Sequence, residues 1–556
     1  MKFVIFRTMA IFFAFISYQS SAQNEQFTMR VVNTGYQLNS AWEILYGPDD
    51  SLWVTENKAY LVSRIDPVTG NKTQLINLSA AKDFSGEPWP QGGLMGMVLH
   101  PSMYSEWPNP TNPYVYIAYV YHFVPDGGCN VDKKGKVTKT GPCYFNTKIV
   151  RYNYDRNSHS LSNELVITQS LNGSNDHNGG RLAIGNVGGV PYLFYSIGEM
   201  GAGQFNNSTR TNNAQNTDIS EGKILRYNLE PDGDADQWDR WIPNDNPFTT
   251  SGKKNPVWSF GHRNPQGIVF GSDGTLYQSE QQDRTDDEIN IIDETRNYGW
   301  PKVSGYCDGN YNGFTLAGQP IVSEQDNCNT LNVKEPIYTL FTISQPNTLS
   351  NDYLTWPTVA TSGIDIYEKK VIPNWNKSLL VPSLKGGVVY RLKLSADGKS
   401  VEDIFTVPAM EYTGRFRDLA ISPDGLRIYA ACDMDGQSQT AKGTFGTPPN
   451  RGKILEFSYT GAVMAINDDT YSYVRNTEFR LFPNPASTKI TVRGIKSSAK
   501  PMYYYMYSAA GKLTKYGKVF TDAFDIDVSI IPRGLYIIKV YDAYNKNVYT
   551  EKVTVQ

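Results

Sequence analysis

Histidine and cysteine are both scarce in this chain, with five of each among 556 residues. They are not grouped at the close spacing of a zinc site, and no Cys-x-x-Cys pair indicates a redox dithiol. The sequence also lacks GxGxxG after a strand, GxxxxGK followed by Ser or Thr, and HExxH. These absences argue against nicotinamide, nucleoside triphosphate and thermolysin-like zinc chemistry.

An excess of charge of one sign is missing as well. The net charge is −3, and acidic and basic residues are interspersed, which makes nucleic acid and membrane surfaces poor partners. No run of about 18 uncharged apolar residues follows the N-terminus, so no membrane span is predicted. A small molecule is the expected partner.

The first 22 residues combine early positive charges, a short apolar run and a small-residue cleavage site, which are features of a secretory signal. We therefore predict a signal peptide over 1–22 and a protein that is secreted or held at the cell surface. In an exported chain, five cysteines allow two disulfides. Loop length favours Cys129 with Cys143 and Cys307 with Cys328.

Aromatic residues, glycine and proline are abundant, with 13% aromatics, 47 Gly and 31 Pro. Aromatic side chains favour strands, while Gly and Pro favour turns. One unit recurs: an alternating apolar run, a turn of the Pro-Asp-Gly type, and a second run rich in aromatics. Its copies lie at 43–56, 267–280 and 419–431, with looser ones at 98–119 and 182–198, and further Asp-Gly hairpin turns are predicted at 230–233 and 395–398.

Self-similar hairpins without helical periodicity predict a radial β architecture. Residues 23–465, divided among six such units, are predicted to form an all-β, six-bladed β-propeller of four-stranded antiparallel blades. A sandwich or barrel with the same turns is the alternative.

Residues 466–556 differ in character, because their short, strictly alternating strands predict a small C-terminal β-sandwich. The "FRLFPNPASTKITV" start (479–492) and the late Gly-Leu-Tyr resemble the sorting modules of the type IX secretion system of Bacteroidota. That secretion machinery is then a partner. An Ig-like adhesive or carbohydrate-binding module is the alternative.

A histidine stands out in "NDHNGGRL" (175–182), where Asn and Gly prevent a stable helix. His177 follows Asp176, and imidazole suits proton removal near neutral pH while a carboxylate orients a ring or a hydroxyl. A histidine that merely occupies a polar turn is the alternative.

Four cationic side chains fall at the ends of predicted strands: Arg263, Lys385, Arg415 and Arg417. In a propeller, loops from different blades converge, so these charges are predicted to ring one polyanion. The alternative is four ordinary surface charges. The acid-rich stretch 280–311 offers hard oxygens that suit calcium, although it lacks the EF-hand pattern and solvated acidic loops are common.

Seven motifs in order carry a family resemblance: "DHNGGRL", "GHRNPQG", "QSEQQDRTDDEIN", "NYGWPKVSGY", "WPTVA", "VPSLKGGV" and "GRFRDLAISPDG". Over about residues 30 to 458 the chain resembles the soluble quinoprotein glucose dehydrogenases of the glucose/sorbosone dehydrogenase family. The resemblance implies a six-bladed propeller that holds pyrroloquinoline quinone (PQQ) through Ca²⁺ and oxidises an aldose at C1 to the lactone. It also implies an external electron acceptor, and a homodimer is one assembly it allows.

The resemblance also implies residue roles. His177 would remove the anomeric hydroxyl proton, with Arg263 and Asp176 completing the catalytic set. The cofactor-binding residues would be Arg263, Asn264, Gln266, Trp356, Lys385, Arg415, Arg417 and Asp433. The substrate-binding residues would be Gln91, Asp176, Gln204 and Tyr353.

Two departures from the family qualify these roles. The family's cofactor calcium is held by the carbonyls of a Gly-Pro step, whereas this chain has Gln282 and Asp283. The stretch "GEMGAGQ" (198–204) carries fewer polar residues, so a different sugar preference is predicted. A structural calcium pair would use Glu288, Tyr298, Ser304, Tyr306, Asp308 and Glu324.

Two other functions stay open at this point. Propellers with a central metal also host lactonases and other hydrolases, because a fold does not fix a function. A neutral lactone, however, has no need of the four cations. A non-catalytic glycan-binding propeller is the third reading.

Overall fold

The computed structural model describes residues 26–84, 91–127, 129–131, 137–138, 142–461, 480–494, 502–508, 513–519, 521, 523–541 and 547–556. The predicted signal peptide and the predicted domain boundary at 465 lie outside these residues. Strands predominate in the described part, as predicted. Two α-helices occur there, α1 (Pro101–Ser105) and α2 (Glu324–Leu331). No helix among the described residues has the length and apolar character of a membrane span.

Six short 3-10 helices accompany them: Ser79–Ala81, Phe205–Asn207, Asp239–Trp241, Pro346–Thr348, Tyr353–Thr355 and Pro408–Met410. The strands of the first half are β1 Phe27–Val31, β2 Ala41–Tyr46, β3 Leu52–Glu56, β4 Leu61–Ile65, β5 Lys72–Asn77, β6 Leu94–Leu99, β7 Tyr114–Gly127, β8 Asn130–Val131, β9 Val137–Thr138, β10 Cys143–Asp155, β11 Ser160–Ser174, β12 Leu182–Val187, β13 Val190–Ile197, β14 Lys223–Asn228, β15 Val257–Phe260 and β16 Asn264–Phe270.

The remaining strands are β17 Leu276–Gln281, β18 Asp287–Ile291, β19 Thr315–Leu316, β20 Gln319–Pro320, β21 Tyr338–Leu340, β22 Asp365–Tyr367, β23 Ser378–Pro382, β24 Val389–Leu394, β25 Val401–Thr406, β26 Phe416–Ile421, β27 Arg427–Cys432, β28 Ser438–Gln439, β29 Phe445–Gly446, β30 Ile454–Tyr459, β31 Arg480–Phe482, β32 Lys489–Arg493, β33 Met502–Ser508, β34 Leu513–Val519, β35 Ala523–Asp527, β36 Gly534–Tyr541 and β37 Asn547–Val555.

Six four-stranded antiparallel sheets fill the described part of 26–461. Their strand orders are β2-β3-β4-β5, β6-β7-β10-β11, β12-β13-β14-β15, β16-β17-β18-β21, β22-β23-β24-β25 and β26-β27-β30-β1. The leading strands contact one another in a closed circuit that runs β2, β6, β12, β16, β22, β26 and back to β2. This is the arrangement of a β-propeller, and β1 joins the last sheet to close the ring.

The repeated units form hairpins as predicted, and one predicted turn is wrong. The unit at 43–56 spans β2 and β3, and the turn at 395–398 joins β24 to β25. The turn at 230–233 does not close a hairpin, because β15 begins only at Val257. There the Asp232 carboxylate accepts the Asp234 N–H locally at 3.0 Å. Asx turns of this kind redirect the chain without pairing strands.

A buried ion triad lies among the leading strands. Arg181 Nη1 lies 2.7 Å from Glu43 Oε2 and 2.9 Å from Asp418 Oδ2. The Arg181 Nε also donates to the Gln266 carbonyl at 3.1 Å. These partners come from β2, β26 and β16, so one guanidinium links three sheets beneath the residues described next.

The C-terminal residues form a separate set of strands in two sheets, β31-β32-β35 and β34-β33-β36-β37. Buried apolar residues such as Ile490, Met506 and Ile538 form their core. Within residues 26–461, the two predicted disulfides, Cys129–Cys143 and Cys307–Cys328, are confirmed, and Cys432 is a buried free thiol.

Candidate active site

The predicted site residues share one end of the ring because of how the sheets are built. The leading strands of the six sheets begin at this end, and the second strands, which run antiparallel, finish there. Asn264 is the first residue of β16, Arg417 is the second residue of β26, and Asp433 directly follows β27. Residues far apart in sequence therefore meet, as the propeller topology predicts.

A cavity of about 440 Å³ opens at this end. The predicted site residues that line it are Gln91, Asp176, Tyr353, Lys385, Arg415, Arg417 and Asp433. Trp42, Asn175, Gln281 and Gln437 are among the others in its wall. His177 and Arg263 lie outside that wall, in a buried cluster next to Asp176 and Gln91.

Two arginines and an aspartate form one side of the cavity. Arg417 donates to Asp433 at 2.6 Å and packs its guanidinium 4.4 Å from the Trp42 ring centroid. Arg415 Nε lies 3.7 Å from the same carboxylate. Burial alone would raise the pKa of Asp433, but Arg417 and Arg415 hold it below its usual value. Two cations thus share one anion, and a net positive charge faces the cavity.

Lys385 supplies a third cation. Its ammonium donates to the Trp356 carbonyl at 2.7 Å, the Thr358 hydroxyl at 3.1 Å and the Tyr353 carbonyl at 3.2 Å. Burial lowers the pKa of Lys385 to about 8, although Asp287 opposes this shift. Its partners are neutral oxygens, so the charge of Lys385 is available to an anion.

His177 is paired with a carboxylate that the sequence analysis did not assign. Its Nδ1 lies 2.8 Å from Glu199 Oε1, which also accepts the Gln204 side-chain N–H at 2.7 Å. Because Glu199 Oε1 already accepts from Gln204, we assign it as the acceptor of the His177 Nδ1–H as well, which leaves Nε2 of His177 able to accept a proton. Burial, aided by Arg263, lowers the pKa of His177 to about 4. The ring is therefore neutral at neutral pH.

The backbone around His177 explains the surrounding glycines. His177 has φ of 48°, a left-handed conformation. Gly198 approaches so closely that an added Cβ would lie 2.0 Å from the His177 carbonyl oxygen. Only glycine fits at such a backbone contact. The turn that carries Glu199 is thereby packed directly on the turn that carries His177.

Arg263 joins this cluster. Its guanidinium donates to Gln204 Oε1 at 2.6 Å and to the Gln281 carbonyl at 3.0 Å. The ring of Trp300 lies 5.2 Å away. The Gln204 side chain therefore bridges Arg263 and Glu199, and it links Arg263 to the carboxylate that is paired with His177.

An amide network connects the two halves of the site. Gln91 Oε1 accepts from both Asn264 and Gln266, each at 3.1 Å. Gln266 Oε1 accepts from Arg417 at 3.0 Å, and Asn264 Oδ1 accepts the Gly179 N–H at 3.2 Å. The Asn264 and Gln266 amides have one defined orientation, because the oxygen and the nitrogen of each have partners.

The residues predicted to bind calcium lie between β17 and α2. Glu288 Oε1 accepts the Gly305 N–H at 2.8 Å, and Glu324 Oε1 accepts the neighbouring Ser304 N–H at 3.2 Å. Both carboxylates thus reach the same turn, and burial raises the pKa of Glu324 to about 7. The Tyr298 hydroxyl donates to the Ile291 carbonyl at 2.7 Å, and its main-chain oxygen is the atom predicted to bind calcium.

Four other residues of this calcium set have separate contacts. Asp308 accepts the Asn310 N–H at 3.0 Å, and Tyr306 is half-buried. Gln282 accepts the Ser304 hydroxyl at 3.1 Å, while Asp283 lies 4.0 Å from Arg263 Nη2. In the described ranges, no group of three His, Cys, Asp or Glu side chains is arranged to hold a metal. Calcium binding stays a prediction.

Comparison with known proteins shows the family to which this chain belongs. The family model described as "Glucose / Sorbosone dehydrogenase" matches residues 38–440, and that described as "Secretion system C-terminal sorting domain" matches residues 480–556. The chain belongs to the glucose/sorbosone dehydrogenase family. It ends in a C-terminal sorting domain, as the resemblance predicted.

Named members of the glucose/sorbosone dehydrogenase family are similar over most of the chain. Quinoprotein glucose dehydrogenase B of Acinetobacter calcoaceticus is 33% identical over 481 residues, which cover 79% of this chain and 92% of the relative. The soluble aldose sugar dehydrogenase structure from Escherichia coli is 23% identical and covers 78% of this chain and 100% of that chain at a TM-score of 0.52. The PQQ-bound aldose sugar dehydrogenase of Streptomyces coelicolor is 24% identical, covers 78% and 98%, and has a TM-score of 0.50. The structural matches support the fold.

Two residues of this candidate site are not predicted from the sequence. Glu199 lies in "GEMGAGQ", a stretch with few polar residues. Arg284, whose guanidinium lies 4.9 Å from the Trp356 ring centroid, lies in an acid-rich loop. A carboxylate directly after a predicted strand was the available signal for Glu199. Arg284 offered none, because its partner is 72 positions away.

Proposed function

We propose that this protein is an exported dehydrogenase that oxidises an aldose at C1 to the lactone, with PQQ and Ca²⁺ as cofactors and an external electron acceptor. The observation that carries the proposal is the juxtaposition of the neutral, carboxylate-paired His177 with a cavity lined by Lys385, Arg415 and Arg417. A base for an alcohol proton and cations for a polyanionic acceptor are the two requirements of this reaction.

The side chains fit PQQ, a tricarboxylate. The Nε atoms of Arg415 and Arg417 are buried and have no hydrogen-bond partner in the part of the chain that the structure describes. Lys385 is bonded only to neutral oxygens. Such cations suit carboxylates, since each charge-assisted hydrogen bond contributes about 1.5–3 kcal/mol. Asn264, Gln266, Trp356 and Asp433 would complete the cofactor contacts.

The chain also fits a calcium ion beside the cofactor. Among the described residues, no hydrogen-bond donor reaches the main-chain carbonyls of Gln282 or Asp283. Calcium prefers such carbonyl and carboxylate oxygens. The loss of the family's Gly-Pro step therefore leaves two free carbonyls in place. Glu288 and Glu324, which meet at one turn, would serve a structural calcium site with Tyr298, Ser304, Tyr306 and Asp308.

Each side chain has a defined part in the proposed reaction. Asp176 and Gln91 would bind sugar hydroxyls at the cavity wall, with Gln204 and Tyr353 shaping the pocket. His177 Nε2 would take the proton of the anomeric hydroxyl, while Glu199 stabilises the imidazolium that results. Arg263 would stabilise negative charge that develops at the acceptor. When bound, PQQ supplies the two-electron acceptor for the hydride of sugar C1.

We further propose that each of the six sheets is one blade of a six-bladed propeller over 23–465 and that the C-terminal sheets over 466–556 form a sandwich. The sorting-domain match supports export by the type IX machinery to the cell surface or beyond. Removal of a signal peptide over 1–22 would precede that step.

The test is reconstitution of the purified protein with PQQ and Ca²⁺, followed by addition of glucose or another aldose. We expect a visible cofactor spectrum that the sugar bleaches, with reduction of an added dye. His177→Ala should keep the cofactor absorbance and lose turnover by about 100-fold or more. Absence of cofactor absorbance, or hydrolysis of a lactone without PQQ, would contradict the proposal.

A further inference from the structure

Arg284 lies in the turn between β17 and β18, next to the proposed calcium carbonyls. Its side chain is 19% exposed. The guanidinium carbon lies 4.9 Å from the Trp356 ring centroid and 5.0 Å from that of Phe314, and Nη1 donates to the Leu349 carbonyl at 3.1 Å. Its Nε also lies 3.9 Å from Asp283 Oδ2. One planar cation thus contacts two aromatic faces, one carbonyl and one carboxylate, a geometry that suits guanidinium better than ammonium.

The segment that Arg284 contacts has little regular structure of its own. Residues 341–357 contain two single-turn 3-10 helices, and Tyr353 is 58% exposed. The Trp356 indole N–H donates to the Ser350 carbonyl at 2.7 Å, which is a bond within the segment. Its position at the cavity therefore depends on contacts from outside.

Two of these outside contacts act on Trp356 and its immediate neighbours, and both are cationic. Lys385 donates to the carbonyls of Trp356 and Tyr353, and Arg284 packs on the Trp356 ring. Thr358 N–H also donates to the Arg284 carbonyl at 3.4 Å. Thr285, the next residue, donates to the Phe341 carbonyl at 2.6 Å at the start of the segment. The β17–β18 turn thus fastens the segment at both ends.

The two cationic contacts of this segment, those of Lys385 and Arg284, differ once an anion binds. The Lys385 ammonium has three N–H donors, and all three are used by Tyr353, Trp356 and Thr358. To bind a carboxylate, Lys385 must give up one of these bonds. The contact with the Tyr353 carbonyl, at 3.2 Å, is the longest. Arg284 does not line the cavity, so it keeps its contacts with the segment when an anion binds there.

We infer that Arg284 is a positioning residue that holds Trp356, and with it the cavity-lining Tyr353, in place when Lys385 gives up a bond to this segment and binds an anionic ligand. This inference deepens the proposed function and rests on it for the identity of that ligand. The β17–β18 turn would then have two roles: its main-chain carbonyls would bind calcium, and Arg284 would position the segment 341–357.

The positioning role of Arg284 can be tested without any cofactor. Chymotrypsin cleavage within 341–357 would be followed by mass spectrometry in the full chain, with Arg284→Ala made alone and in a Lys385→Ala background that mimics the released lysine. We expect Arg284→Ala to speed cleavage about ten-fold or more in that background and less in the parent. Arg284→Lys should restore only part of the protection. Arg156→Ala, an exposed arginine in the β10–β11 hairpin, is the control.

Binding supplies the second measurement. A PQQ titration followed by tryptophan fluorescence should show about ten-fold weaker binding for Arg284→Ala than for Arg156→Ala. Equal cleavage rates and equal PQQ affinities for these two variants, with unchanged circular dichroism, would overturn the inference. If the parent protein itself binds no PQQ, the proposed function fails, whereas the cleavage rates still decide the role of Arg284.

Discussion

Nδ1 of His177 lies 2.8 Å from Oε1 of Glu199, and the second oxygen of that buried carboxylate has no hydrogen-bond partner among the described residues. Burial raises the pKa of Glu199 and lowers that of His177. Burial therefore disfavours the Glu199 carboxylate and the His177 imidazolium when either is charged without the other. When Nε2 of His177 takes a proton, the imidazolium and the carboxylate stabilise each other.

This pairing predicts the effect of Glu199→Gln. An amide keeps the size of the side chain but cannot stabilise an imidazolium, so we expect kcat for aldose oxidation to fall about 100-fold with little change in PQQ affinity. Asp435→Asn, which neutralises a carboxylate at the cavity rim paired with Lys58, is the matched control. Equal turnover of the two variants would show that Glu199 has no part in the proton transfer.

The pKa of His177 predicts the acid limb of the pH profile. Because it is lowered to about 4, the neutral base is present above that pH and is lost as pH falls through about 4. The kcat/KM of the reconstituted enzyme should therefore stay level from neutral pH down to about pH 5. Arg263 contributes to the shift, so Arg263→Gln should move the acid limb to higher pH. An acid limb centred near 6.5 in the parent enzyme would contradict this assignment.

Arg417 predicts a binding effect distinct from catalysis. It links the Asp433 carboxylate to the Gln266 amide, and its removal takes away one charge-assisted bond of about 1.5–3 kcal/mol to an anionic ligand. Arg417→Gln should therefore weaken PQQ binding by about ten- to one-hundred-fold in an equilibrium titration, while saturating cofactor restores most of the turnover. The pKa of Asp433 should rise in the variant. Unchanged PQQ affinity would rule Arg417 out as a ligand.

The central triad predicts a stability effect. Arg181→Ala leaves Glu43 and Asp418 buried without a cation, and breaking a buried ion pair in this way costs about 3–5 kcal/mol. Urea unfolding of the cofactor-free protein should show this loss. A triple change of Arg181, Glu43 and Asp418 to apolar residues should recover only part of it, because the buried N–H groups of Ile44 and Met97 lose their acceptors. A loss below about 1 kcal/mol for Arg181→Ala would contradict the triad's structural role.

The sequence predicted the ring of sheets and the convergence of distant cations, because both follow from periodic hairpins. It could not predict which loop packs on which. Glu199 pairs with His177 through a backbone contact at Gly198, and Arg284 reaches Trp356 across an irregular segment. The hairpin predicted at 230–233 was wrong for a related reason, since Asp-Gly sequences occur both in local Asx turns and in hairpin turns.

Gly198 provides the sharpest test of that loop packing. An added methyl would lie 2.0 Å from the His177 carbonyl oxygen and 3.1 Å from that of Arg263, so both turns must move. Gly233 has open space around it, and Gly233→Ala is the matched control. A displacement of about 1 Å can cost about 100-fold in rate, so Gly198→Ala should lose at least that much kcat. An equally small loss of kcat in Gly198→Ala and Gly233→Ala would show that the close packing of these two turns does not position His177 for catalysis.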